Sequence, residues 1–215
     1  MRISTYAELK TAVANWLNRA DLTARIPEFI ALTESRIKFG SEETPYRSPP
    51  LRIRSMETSA NVTVSARTAA LPTGYLQSRR FYLNTNPVAV LELKSPFEVW
   101  SAYPDTGGAT PEIFSVEGEN FIFGPTPDSS YTGKILYYAF FAALSGNSDT
   151  NWLLTNAPGV YLHGTLIEAY KYIRNMEQAA ASLNNFCGVV NALNSADKSD
   201  RHSTPWVARN DSWTP

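Results

Sequence analysis

The stretch TNWLLTNAPGVYLHGTLIEAYKYIRN (150–175) decides how the chain is organised. After a polar start it reads as a helix that is apolar on nearly every side. Val160, Tyr161, Leu162, Leu166, Ile167, Ala169, Tyr170, Tyr172 and Ile173 leave little room for water. A surface helix keeps a polar stripe, so this one has to be surrounded. Thr155 or Asn156 can cap it. Pro158 falls in its first turn, where a missing N–H does no harm.

The surrounding elements come from both ends of the chain. Thr5-Tyr6-Ala7-Glu8 is a capping box, in which the Thr and Glu side chains satisfy orphan backbone donors. Tyr6, Leu9, Val13, Trp16 and Leu17 then share one helical face. A second helix spans about Leu22 to Phe39, with the stripe Leu22, Ile26, Phe29, Ile30, Thr33 and Ile37. Pro27 either opens it or kinks it. A last helix spans about Asn175 to Asp197, with Met176, Ala180, Leu183, Phe186 or Cys187, Val190 and Leu193 aligned. Four helices packed with the apolar one in their middle form a bundle. Such a bundle rarely hides every face of one member, so the leftover surface calls for another chain.

Between the helical ends the pattern changes. GSEETPYRSPP (40–50) is a polar, Pro-rich loop. Beyond it the period drops toward two, with Leu51, Ile53, Val62 and Val64 in strands and Arg52 and Arg54 on a wet face. LPTGY (71–75) turns into QSRRFYL (77–83), and Val88, Val90, Leu91 and Leu93 form the next strand. Ser95-Pro96-Phe97-Glu98 starts a short helix. EIFSVEGENFIF (112–123) reads as a hairpin turning near Gly118, and Lys134 to Phe141 as one more strand. The expected fold is α+β: an antiparallel helical bundle of the N- and C-terminal helices, with an inserted small, mostly antiparallel β region and an extended C-terminal arm. The segments are 1–48 (N-terminal helical pair), 49–149 (acidic β-rich insertion), 150–198 (C-terminal helical pair) and 199–215 (arm).

Composition excludes several function classes. A formal net charge of −1 over 215 residues gives no global field for nucleic acid or anionic membrane. No apolar run is long enough to span a membrane, and MRISTYAELK lacks a signal peptide's apolar block. One cysteine rules out an internal disulfide framework and fits synthesis in a reducing cytoplasm. Two His and one Cys do not build a usual zinc site, and no nucleotide-binding or hydrolase motif occurs. The expectation is no enzyme, no cofactor and no metal. His163 reads as a core or interface imidazole rather than a catalytic one, and Cys187 as a small buried hydrophobe. Arg79-Arg80 is too sparse for a nucleic-acid patch.

Charge distribution says more. From Glu98 to Asp149 the acids are Glu98, Asp105, Glu112, Glu117, Glu119, Asp128 and Asp149, against the single base Lys134. Such a surface is either a solvated sheet face or one that repels phosphates, as a channel for sliding DNA requires. Glu112, Glu117, Glu119 and Asp128 are the candidates for a channel-facing or tail-facing surface. The carboxylates Glu117 and Glu119 flank a hairpin tip, a poor setting for a glycosidase pair, which needs one buried acid. The C-terminal HSTPWVARNDSWTP (202–215) carries two Trp, a residue enriched among binding anchors. Either the indoles patch their own domain or the arm docks on a partner.

Five blocks together resemble a known family. YAELKTAVANWLNRADLTARIPEFIALTESRI, LPTGYLQSRRFYL, LELKSPFEVW, TPEIFSVEGENFIFGPTPDSSYTGKILYY and TNWLLTNAPGVYLHGTLIEAYKYIRN occur in the order found in head-to-tail adaptor (connector, neck) proteins of tailed bacteriophages, the short-tailed kind especially. The resemblance covers roughly residues 4–197 and rests on packing and turn patterns. It implies a virion protein of the head–tail junction, made in the host cytoplasm. It further implies a homo-oligomeric ring, commonly of twelve subunits, docked under the portal protein. The ring extends the DNA channel without binding DNA specifically and gives the tail (nozzle or tail-tube) protein its platform. On that reading Trp206, Val207, Arg209 and Trp213 of the arm suit portal contact. Tyr161, Tyr170 and Tyr172 suit the subunit interface, since a phenol tolerates a wet edge. Two other readings compete: a monomeric binding module using its Trp-bearing tail, and a small carboxylate-dependent hydrolase.

Overall fold

The structure, a computed structural model, describes residues 3–104 and 107–201. Along the chain it forms α1 (Tyr6–Leu17), α2 (Ile26–Phe39), β1 (Glu57–Val64), β2 (Thr68–Ala70), β3 (Tyr75–Leu83), β4 (Ala89–Leu93) and α3 (Pro96–Ala102). There follow β5 (Gly108–Ala109), β6 (Ile113–Glu117), β7 (Asn120–Gly124), β8 (Thr126–Pro127), β9 (Tyr131–Ala139), α4 (Trp152–Asn156), α5 (Pro158–Tyr172) and α6 (Met176–Arg201). The chain divides into two compact units, one built from both ends up to Arg54 and from Ala143, the other from Ser55–Ala142.

In the helical unit, local chemistry fixes the starts. Thr5 Oγ1 accepts from the Glu8 N–H at 3.3 Å, and the Glu8 carboxylate accepts from the Thr5 N–H at 3.1 Å. Asn18 ends α1 in a left-handed conformation, a conformation Asn tolerates. Pro27 sits in the first turn of α2 behind a 3₁₀ turn at Thr23–Arg25, so it opens the helix rather than kinking it. The expected cap of the apolar helix is not found. Thr155 and Asn156 belong to the separate helix α4, capped by Asn151, whose Oδ1 accepts from the Leu154 N–H at 2.9 Å. α5 starts at Pro158 without a side-chain cap.

Helices α1, α2, α4 and α6 all pack on α5. Val160, Tyr161, Thr165, Ile167 and Ala169 have no exposed surface. Gly164 permits the closest approach: a Cβ there would lie 2.4 Å from Thr33 Cγ2 and 3.2 Å from the Phe186 ring. Leu51 and Ile53 are buried in this unit but lie in no strand. Side chains of α6 pin their extended backbone. Asn194 Oδ1 accepts from the Arg52 N–H at 2.9 Å and the Asp197 carboxylate from the Arg54 N–H at 2.6 Å. The Arg52 guanidinium, expected on a strand's wet face, donates to the carbonyls of Lys38 and Leu51.

The other unit overturns the expected layout of a helical bundle with a small β insertion. Seven strands form one sheet in the order β1-β9-β3-β4-β6-β7-β2. Its end strands β1 and β2 are consecutive in sequence and touch, so the sheet curls into a nearly closed barrel. The pairing is antiparallel except between β4 and β6, which run parallel. A parallel pair needs a crossover. α3 lies in that crossover and packs on β6 and β7, its start fixed by the Ser95–Glu98 capping box. The barrel has its own core of Val64, Phe81, Leu83, Phe114, Phe121, Phe123 and Ile135. The Phe81 ring lies edge-on to Phe114, Phe121 and Phe123 at 5.3, 5.3 and 5.4 Å. Gly133 makes room for it, since a Cβ there would lie 2.5 Å from the Phe81 ring.

Candidate functional site

Within the helical unit a few polar side chains are buried and bonded to one another. Arg36 on α2 is buried and directs Nε and Nη2 to Glu168 Oε1 on α5 at 3.0 and 2.6 Å. Its Nη1 donates to the Tyr46 carbonyl at 2.8 Å and to Ser48 Oγ at 3.3 Å. Lys171 joins from outside, 2.6 Å from Glu43 and 3.5 Å from Glu168. Two residues earlier on α2, Glu34 Oε1 accepts from the Leu144 N–H and from the Tyr161 hydroxyl, each at 3.2 Å. Asn151 Nδ2 donates to the same hydroxyl at 2.9 Å. Burial pushes the Tyr161 phenol well above its ordinary range, and the neighbouring Glu34 carboxylate adds to the shift.

Burial likewise raises the Glu34 carboxyl above the usual carboxylate range, against the hydrogen bonds from Leu144 and Tyr161 and the Lys38 charge that lower it. The folded chain therefore holds this proton at a pH where the unfolded chain has lost it. The stabilisation is fully present below the unfolded-state value, about pH 4.3 for Glu, and is lost as pH rises through the folded one. Glu34→Gln keeps an acceptor for both donors and removes the titration. It should raise the melting temperature at about pH 8, with the gain shrinking toward zero by about pH 4. Thermal melts of both proteins across that range check this. A lower melting temperature at the alkaline end would show that Glu34 is better charged than neutral there.

The sequence-derived candidates are placed as follows. Tyr161 has no exposed surface, so it serves the core and offers nothing to a neighbouring subunit. Tyr170 is half-buried. Tyr172 is exposed, its ring tilted against Phe29 at 5.6 Å with the Arg25 guanidinium 5.3 Å above it. Glu112, Glu117, Glu119 and Asp128 are all exposed. Glu112 accepts from the Tyr103 hydroxyl, and Asp128 from Tyr131. Glu117 and Glu119 flank Gly118 at the β6–β7 tip, where φ is +58° and the chain reverses in two residues. Being exposed, they lack the buried acid that glycoside hydrolysis requires. Trp206, Val207, Arg209 and Trp213 lie outside the described residues. His163 is half-buried with Trp16 edge-on at 5.8 Å, and burial lowers its basicity. Cys187 is half-buried. Among the described residues no group of His, Cys, Asp or Glu could hold a metal ion, and no helix is long and apolar enough to cross a membrane.

Several large apolar and aromatic side chains are exposed as well. Trp16, Leu32, Phe39 (69%), Tyr172 and Met176 stand out from the helical unit. Val88, Val90, Leu93, Phe97 (79%) and Trp100 do so from β4, its approach and α3. Sequence reasoning takes Phe97 only as part of a helix start, and the local signal cannot say which face α3 turns outward. It also misses a concavity of about 440 Å³ on the outer face of the sheet, lined by Ser59, Arg79, Arg80, Tyr82, Lys134 and Leu136. Only strand pairing brings Lys134 beside Arg80.

The family model described as SU10 adaptor protein matches residues 4–209. A search of curated proteins finds no match.

Proposed function

The chain belongs to the SU10 adaptor protein family of phage head-to-tail adaptors, and from that membership we propose that it assembles as a ring beneath the portal. In this role the ring extends the DNA channel and presents the platform on which the tail docks. The observation that carries the reading is a family match reaching from Ser4 to Arg209, across both units and into the C-terminal segment. A structural, non-enzymatic role follows from the same membership.

Two features support the ring. Ring contacts are heterologous, one face of each copy meeting a different face of the next, and both units carry exposed aromatic side chains of the kind that anchor such contacts. Tyr172, with Tyr170 at its edge, is the helical unit's share of the subunit interface. The exposed acids Glu112, Glu117, Glu119 and Asp128 give the sheet unit a negative surface suited to a channel or tail face, where phosphates are repelled. Trp206, Val207, Arg209 and Trp213 are assigned to portal contact, on the compositional ground that Trp and Arg carry binding energy where few residues touch.

A nonsense mutation in the gene tests this directly. Infected cells should accumulate heads filled with DNA but lacking tails, and the protein supplied in trans should restore tailed particles. Normal tailed, infectious virions made without the protein would overturn the reading.

A further inference from the structure

The concavity on the outer sheet face is basic, although the segment that builds the sheet's second half is acidic. Arg80 on β3 and Lys134 on β9 have no ion-pair partner among the described residues, whereas Arg79 is held by Glu57 at 3.0 Å. The register pairs Arg80 with Leu136 and Tyr82 with Lys134, so the two free cations are diagonal neighbours on one face. Diagonal neighbours stand about 7–8 Å apart. Tyr82, Leu136 and the exposed Val90, paired with Tyr82 on β4, form an apolar floor between and beside them.

The same unit carries a matching projection. Glu117 and Glu119 stand at the β6–β7 tip, exposed, and their carboxylates have no hydrogen-bond or ion-pair partner among the described residues. Two residues apart, their Cα atoms are separated by no more than about 7 Å. The tip thus offers two negative charges at the spacing of the two positive ones. β4 lies between β3 and the β6–β7 hairpin in the sheet, so a copy cannot fold its own tip into its own patch. The patch has too few charges for a duplex, since DNA-binding proteins commonly neutralise about 6–10 phosphates.

We propose that the Arg80–Lys134 patch of one copy receives the Glu117–Glu119 hairpin tip of the next. This deepens the ring reading and rests on it. The contact is heterologous, joins different faces, and repeats from copy to copy as a ring requires. It takes Glu117 and Glu119 out of solvent and leaves Glu112 and Asp128 for the channel or tail face.

The test reverses the charges one side at a time in the full chain, with the portal protein of the same genome present. Arg80→Glu with Lys134→Glu makes one variant, and Glu117→Lys with Glu119→Lys the other. All four positions are at the surface, and circular dichroism confirms that each variant folds. Each variant alone should lose the multi-copy complex by more than about tenfold, since like charges then face each other. An equal mixture should recover it, because each reversed patch now meets the other variant's reversed tip. Full assembly by either variant alone overturns the contact while leaving the ring intact. Variants that assemble normally but lose retention of duplex DNA also overturn it and assign the patch to nucleic acid. A wild-type chain that forms no complex with the portal fails the ring reading itself, a result distinct from either.

Discussion

Phe81→Ala should lower the stability of the sheet unit by about 3–5 kcal/mol, the range for truncating a large buried aromatic. Phe81 has no exposed surface and stands at the centre of the ring cluster with Phe114, Phe121 and Phe123. Gly133, which lies against the ring, has no side chain to move into the gap. Edge-to-face contacts add about 0.5–1.5 kcal/mol per pair beyond the area term, so the loss should fall toward the upper end. Urea unfolding measures it as a lower midpoint at constant slope. A loss under about 1 kcal/mol would mean that the barrel core can collapse around the gap.

Glu168→Ala should destabilise the helical unit by about 3–5 kcal/mol, because it leaves a buried guanidinium without its counter-charge. The side chain of Arg36 is 5% exposed, and its Nε and Nη2 both point at Glu168. The nearest substitute, Glu43, is half-exposed and 3.9 Å from Nη2. Removing both charges is a different matter: Arg36→Met with Glu168→Leu should come within about 1–2 kcal/mol of the wild type, since apolar replacements avoid desolvating two ions. Urea unfolding of the single and paired variants gives the coupling. A paired variant as unstable as Glu168→Ala would show that the bonds from Arg36 to the Tyr46 carbonyl and Ser48, rather than the ion pair, hold the loop.

These two sites also mark where the sequence could be read. Signals confined to a few residues are legible: the boxes at Thr5 and Ser95, Pro27 at a helix start, and the turn at Gly118 all form as their side chains dictate. The extent of the sheet is not legible. β1 is ETSANVTV, of which only Val62 and Val64 are buried, so its hydrophobic pattern is weak and its place is set by backbone pairing with β9. The parallel β4–β6 pair depends on α3 acting as a crossover, which a helix start alone does not reveal. The Arg36–Glu168 pair spans 132 positions. Tyr161 reads as one more apolar residue of α5, yet its hydroxyl is committed to Glu34, 127 positions upstream. The Arg80–Lys134 patch is hidden for the same reason: one cation sits in a sparse Arg pair, and the other is the lone base of an acidic segment.

Mass photometry of the purified chain, alone and mixed with the portal protein of the same genome, tests adaptor assembly most directly. A discrete rise in mass on mixing, equal to many copies of the 23.9 kDa chain per portal, is the expected result. No association at any concentration, with both proteins folded, would contradict the ring beneath the portal.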